Sequence, residues 1–190
     1  LIALGYTMVY GIIKLINFAH GDVFMLGAFI GFYAIARWEM HFILALLLSM
    51  ALCAIIGVII ERVAYKRLRN ATRIAALITA IGVSLLIEYT VIFFRGASPE
   101  AYPTVIESRN IEIFGAQISV QALFILGISI ILMLLLQFIV HQTKIGKAMR
   151  AVSHDADAAR LMGINVDNTI SATFAIGSAL AGAAGVIFGI

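Results

Sequence analysis

Four stretches of this chain, 42–60, 74–94, 120–140 and 169–190, each run for about 20 residues with scarcely a charge. A helix of that length bonds its backbone N–H and C=O groups internally, which is what a segment crossing a hydrocarbon core about 30 Å thick must do. A fifth stretch, 15–36, reaches spanning length only if the polar sequence INFAHGD at 16–22 is counted in it. Residues 1–13 read as the end of a sixth span. Composition agrees: the chain is 63% hydrophobic and 12% charged, against about 25% charged in an ordinary soluble domain. With a mean hydropathy of +1.07, the surface cannot be covered with polar groups, so its solvent is lipid. The expected fold is all-α, a polytopic transmembrane bundle of five to six spans. The chain starts at Leu1 inside an apolar run and stops at Ile190 in GAAGVIFGI, so 1–190 is read as a fragment of one transmembrane domain, truncated at both ends. No basic n-region with a small-residue cleavage site marks a signal peptide.

The charged connections orient the spans. Segment 61–73 carries Arg62, Lys66, Arg67, Arg69 and Arg73 against Glu61, and 141–168 carries Lys144, Lys147, Arg150 and Arg160. Segment 95–119 has Arg95 and Arg109 against Glu100, Glu107 and Glu112. Lysine and arginine gather on the cytoplasmic side, so 61–73 and 141–168 are expected inside and 95–119 outside. The net charge of +3 is therefore a topology signal, and a nucleic-acid partner is excluded. After Pro99 and Pro103, the sequence NIEIFGAQISV alternates apolar residues about Gly115, as a short β-hairpin or an irregular loop over the membrane surface would.

Segment 141–168 holds the most informative motif, DAARLMG at 157–163. Its alanines favour a compact helix, Ser153 or Asp155 is placed to cap the start, and Gly163 suits a left-handed stop. A short helix with a small face of Ala156, Ala158 and Ala159 fits a groove on a partner, or serves as a plain surface helix between spans. The spacing Asp157-Ala158-Ala159, three residues, Gly163 resembles the EAA-x3-G coupling loop of ABC importer permeases, with Asp for the usual Glu. The run ALGYTMVYGIIKLINFAHGDVFMLGAF at 3–29 resembles the permeases of branched-chain amino acid ABC importers, the LivH-like type, and the likeness continues through GKAMRAVSHDADAARLMGINV at 146–166.

That resemblance implies a cell (inner or plasma) membrane permease subunit that moves branched-chain amino acids by alternating access. It further implies a second, homologous permease, two ATPase subunits and an extracytoplasmic substrate-binding protein as partners. No enzymatic activity and no cofactor is expected of this chain; ATP and magnesium belong to the ATPase subunits. Gly146-Lys147 is the nearest approach to a P-loop, but Ala148 follows where Ser or Thr would hold magnesium, and no glycine sits five residues earlier. A related permease for urea or short amides is the nearest alternative. An ATP-independent secondary transporter is the alternative of another class, and the EAA-like loop speaks against it.

Four small residues, Gly177, Ala181, Gly185 and Gly189, recur every four positions in the last span and line one helix face for close packing, within the chain or between permeases. Glu88 is the one carboxylate inside a long span; it either lines a pathway or reaches the outer interface and Arg95. Cys53, the single cysteine, excludes a disulfide framework. His41, His141 and His154 lie near loops and are expected in water. No metal-ligand spacing and no catalytic set is readable. INFAHGD reads best as a broken helix. A helix beginning near Lys14 would carry Asn17, His20 and Asp22 into the membrane, with Gly21 weakening it and Asp22 capping a new start, where the three groups face a water-filled path. The alternative is a polar hinge at the cytoplasmic interface, without substrate contact.

Overall fold

The computed structural model describes residues 1–68, 72–96, 98, 100–103, 110–113 and 116–190, with only the backbone at 73, 110–113, 116 and 118. Helix α1 spans Ile2–Ile13, α2 Ala19–Ala36 and α3 Phe42–Ile60; a π-helical turn, Glu61–Tyr65, and α4, Lys66–Leu68, prolong α3. Then come α5 (Arg73–Arg95), a hairpin of β1 (Asn110–Ile113) and β2 (Ala116–Ser119), α6 (Val120–Gln142), α7 (Lys144–His154), α8 (Ala156–Leu161) and α9 (Val166–Gly189). Among the described residues, five helices are long and apolar enough to cross a membrane: Ala19–Ala36, Phe42–Leu68, Ile74–Arg95, Val120–Gln142 and Val166–Gly189. The fold is the expected all-α polytopic bundle, with one small hairpin added.

Local chemistry sets the helix starts. Thr72, Thr143 and Asn165 each turn a side-chain oxygen onto the backbone N–H three residues on, at 3.3, 3.0 and 3.0 Å, satisfying one of the orphan donors of α5, α7 and α9. His41 caps α3 with a nitrogen, its Nδ1 accepting from the N–H of Ile43, two residues on, at 3.4 Å. Segment 61–73, expected to leave the membrane as a loop, instead continues the helix of α3 to Leu68. Glu61 is fully buried and accepts from the Ser171 hydroxyl at 2.6 Å, while Lys66 reaches Asp167 at 2.9 Å. The acidic and aromatic side of this turn faces α9 and its basic side faces outward, so helical backbone bonding serves both. β1 and β2 pair antiparallel, Asn110 opposite Ser119 and Ile113 opposite Ala116. The turn expected about Gly115 lies outside the described residues, as do Pro99, Glu107, Arg69 and Arg109.

The core is built around α9, most of whose membrane-spanning residues are buried. Lipid offers apolar side chains no less than a neighbouring helix does, so association rests on close packing, which small residues permit. Gly177 faces Val9 and Gly5 of α1, and a side chain at Gly185 would strike the Phe24 carbonyl of α2. Ala181 is fully buried between them, and Gly189 lies under the ring of Tyr102. The four-residue stripe thus seats the chain's own helices. On another side of α9, Ser178 and Gly182 meet Gly57 and Cys53 of α3. By contrast α5 and α6 are mostly unburied along their spanning lengths, and present Leu86, Phe93, Leu134 and Phe138 outward.

The two ends of the bundle differ. At one, Ile12, Ile13 and Leu15 pack in one cluster with Val152, Ala159 and Val166, which brings together the α1–α2 break, α7, α8 and the start of α9. At the other, the Tyr102 ring rests against Phe32 with centroids 5.9 Å apart, and Gln121 donates to the Ile190 carbonyl.

Candidate functional site

The α1–α2 break is made by two residues. Lys14 adopts a left-handed conformation (φ 56°) and returns its N–H to the Tyr10 carbonyl at 2.8 Å, which ends α1. Asn17 is 5% exposed and accepts from the Tyr65 hydroxyl at 3.0 Å, which ties the following residues to the π-helical turn. α2 therefore starts at Ala19, and not near Lys14. The capping expected of Asp22 does not occur either, because Phe18 holds the N-cap position with no side-chain bond and Asp22 sits inside the first turn.

The chain doubles back at the break, so α2 begins beside the start of α1 and not beside its end. The His20 ring approaches the Ile2 carbonyl with Nε2 at 3.2 Å and tilts against Tyr6 at 6.0 Å. Gly5 separates the ring from the Gly177 carbonyl. Gly177 lies eleven residues into α9, about 16 Å from its first residue at 1.5 Å per residue. The N-terminus of α2, with the partial positive charge of its unbonded N–H groups, is thus held deep in the bundle. A discontinuous helix of this kind places polar backbone where it is tolerated only against protein or a water-filled cavity.

Asp22, half-buried, accepts from the Ser84 hydroxyl at 2.5 Å, joining α2 to α5. Glu88, one turn further along the same face of α5, is exposed. Arg95, the alternative partner for Glu88, pairs instead with Glu100 at 3.0 Å and lies over the Tyr33 ring at 4.5 Å. The structure thus joins Asn17, His20 and Asp22 at one break and leaves Glu88 exposed, one turn beyond Ser84 on the same face of α5. Tyr65, Ser84 and the Glu61–Ser171 pair escaped sequence reasoning. Ser84 had a signal, a serine four residues before an acid in an apolar span; a π-helical turn leaves no comparable mark.

The segment after α6 forms two helices where one was expected. Ser153 belongs to α7, which buries Gly146, Met149 and Val152 on one side. Asp155 breaks the helix and caps α8, its Oδ1 accepting from the Asp157 and Ala158 N–H groups at 2.9 and 3.0 Å. At the far end Gly163 takes φ +83°. Its N–H bonds the Arg160 carbonyl and that of Ile164 bonds the Ala159 carbonyl, both at 3.0 Å. These are the two bonds of a Schellman stop, which requires the left-handed glycine. The small face is split: Ala159 is 4% exposed and packs inward, whereas Ala158 and Asp157 face out. The apex of the turn is Leu161 and Met162, 90% and 83% exposed. Of the remaining histidines, His141 bonds the Gln137 carbonyl at 3.1 Å and His154 is exposed. Among the described residues no group of three His, Cys, Asp or Glu is placed to hold a metal.

The family described as branched-chain amino acid transport system / permease component matches residues 1–190. The chain is 40% identical to the high-affinity branched-chain amino acid transport permease LivH of Salmonella typhimurium, over all of this chain and 65% of that protein. It is 37% identical to BraD of Pseudomonas aeruginosa, over all of this chain and 66% of that protein. A probable LivH of Methanocaldococcus jannaschii is 28% identical over 97% of this chain and 60% of its own length. The chain therefore spans about two thirds of the curated relatives it matches, and no solved structure matches it. With the match running from the first residue to the last, this chain belongs to the branched-chain amino acid transport permease family.

Proposed function

We infer that the protein containing this chain is the membrane permease subunit of an ABC importer for branched-chain amino acids, translocating them by alternating access while separate ATPase subunits hydrolyse ATP. Its partners are a second homologous permease, two ATPases and an extracytoplasmic binding protein, in the cell (inner or plasma) membrane. The basic end, with 61–68, α7 and α8, faces the cytoplasm. The observation that carries the reading is the rigid α8 turn. An exposed Leu161–Met162 apex, fixed between the Asp155 cap and the Gly163 stop, is a small apolar knob where only a protein groove would cover it. Movement of the ATPases would reach α9 through it by packed contacts. His20, Asp22 and Glu88 are assigned to the pathway, and Asn17 holds the break that exposes the start of α2.

The test replaces the apex, Leu161→Ser with Met162→Ser, in the full-length purified complex. Both side chains are exposed, so the membrane domain should insert and fold as before. ATPase subunits should be lost or uptake into vesicles should fall by at least tenfold. Full retention together with full substrate-stimulated uptake would sink the coupling assignment and favour an ATP-independent carrier.

A further inference from the structure

The π-helical turn at Glu61–Tyr65 answers a problem of register. Ser49, Cys53, Gly57, Glu61 and Tyr65 stand four residues apart, and all are buried. An α-helix advances about 100° per residue, so a row repeated every four positions drifts by about 40° a step. A helix that stayed regular past Gly57 would turn Tyr65 further from α9. In the turn, however, the Lys66 N–H bonds the Glu61 carbonyl, five residues back, and the wider ring advances less per residue. The row is thereby brought back onto α9.

Two contacts fix the turn there. The Ser171 hydroxyl donates to Glu61 at 2.6 Å, and the Tyr65 ring tilts against that of Phe174 with centroids 5.3 Å apart. Tyr65 belongs to the same cluster as Val152 of α7, Ala159 of α8 and Val166 at the start of α9. Its hydroxyl reaches out of that cluster and donates to Asn17 Oδ1 at 3.0 Å; the Ile16 carbonyl stands further off, at 3.5 Å. A tyrosine hydroxyl has one proton to give, so Asn17 is its acceptor. The Asn17 carbonyl in turn accepts the N–H of His20, in the first turn of α2, at 3.3 Å. Tyr65 is 2% and Asn17 5% exposed, so water has little access to compete for the bond between them.

One side chain thus bears on the cluster of α7, α8 and α9 with its ring and on the start of α2 with its hydroxyl. We propose that Tyr65 is a positioning residue for transport, passing displacement of the α8–α9 end to Asn17 and so setting where α2 begins. The proposal rests on the transport reading above and deepens it, by naming the contact through which motion on the ATPase side reaches His20 and Asp22. Tyr65 acts through Asn17 and not on the solute itself. A phenylalanine ring would pack on Phe174 equally well; only the hydroxyl makes the link.

The test uses the full-length complex in proteoliposomes with its binding protein, leucine as the solute, and uptake and ATP hydrolysis measured on the same preparation. Tyr65→Phe should lower kcat for uptake at least fivefold while the KM for leucine and the leucine-stimulated ATPase rate stay within twofold. Leucine moved per ATP therefore falls at least fivefold. Asn17→Ala removes the other end of the same bond, so adding Tyr65→Phe to it should change kcat by less than twofold. A tyrosine that merely packs predicts otherwise: uptake and ATPase activity fall together, in proportion to the complex that survives heating. Such a proportional loss, an unchanged ratio of leucine to ATP in Tyr65→Phe, full additivity in the double variant, or failure of Tyr65→Phe to assemble would each overturn the proposal. If the unmodified complex does not couple ATP hydrolysis to leucine uptake, it is the function from which the proposal starts that fails.

Discussion

Gly27→Ala is the substitution for which the structure gives the clearest number. A Cβ built on Gly27 would lie 2.5 Å from the Gly182 Cα and 2.8 Å from its carbonyl oxygen. Ordinary contact begins at about 3.4 Å, so α2 would have to move off α9 by about 1 Å. Both obstacles are backbone inside helices, and neither can swing aside as a side chain tip could. Overpacking of this kind costs about 1–3 kcal/mol, against about 1 kcal/mol that alanine gains over glycine in a helix interior. Gly82→Ala on α5 is the control. It carries the same propensity gain, and its Cβ meets nothing within 4 Å. Gly82→Ala should therefore gain about 1 kcal/mol over the parent and Gly27→Ala lose up to about 2 kcal/mol, a difference of about 1–3 kcal/mol between them. The fully buried Cys53, whose Sγ would lie 2.8 Å from a Cβ at Gly182, reports on the same contact. Thermal unfolding of the full-length complex followed by Cys53 labelling should show Gly27→Ala reacting several degrees below the parent, and Gly82→Ala at or above it. Coincident curves for the two would refute the close α2–α9 contact, and with it the role given to the small residues of α9.

An impermeant thiol reagent applied to intact cells should label a cysteine placed at Gln117 and leave one at Arg67 untouched; the opposite result would invert the assigned orientation. Asp22→Asn and Ser84→Ala, which weaken and remove the bond between α2 and α5, should each lower the rate of uptake several-fold, with the complex still assembled on size exclusion. Normal rates in both would demote that bond to packing. Burial pushes the Tyr102 phenol up to about 12 from 10.0, so the folded protein resists its ionisation. Its docking against Gly31 and Gly189 should hold fully below pH 10 and weaken as pH rises from there through about 12, read as loss of stability that Tyr102→Phe abolishes.

The long spans were legible because lipid imposes one rule on every backbone group, and a run of apolar residues of sufficient length satisfies it whatever its neighbours are. Bounds drawn from composition at 74, 120 and 169 fall within three residues of α5, α6 and α9. The break at INFAHGD was legible as a break, because three polar side chains within seven positions need an explanation in a membrane. Its register was not. The start of α2 depends on the Lys14 backbone and on Tyr65, a partner forty-eight residues away, and no local pattern encodes either. Likewise DAARLMG announced its cap and its stop, both of which are local. Only the packing of α7 and α1 beneath α8 determines that Ala159 turns inward and Leu161 outward. Glu61 was misplaced for the same reason: a charge looks like a loop residue until Ser171 is set beside it.

The central place of α9 has a consequence for biosynthesis. It is made after α1, α2, α3, α5 and α6, yet it is the surface against which α1, α2 and α3 set their glycines and their buried polar groups. Until Val166–Gly189 enters the membrane, the Ser49 hydroxyl has no Gly182 carbonyl to bond at 3.2 Å, and Glu61 lacks the hydroxyl of Ser171. The earlier helices must therefore wait, inserted but loosely associated, until α9 arrives and packs against them. Nascent chains arrested before residue 166 should remain soft targets for membrane proteases. Those arrested beyond Gly189, with α9 clear of the ribosome, should resist.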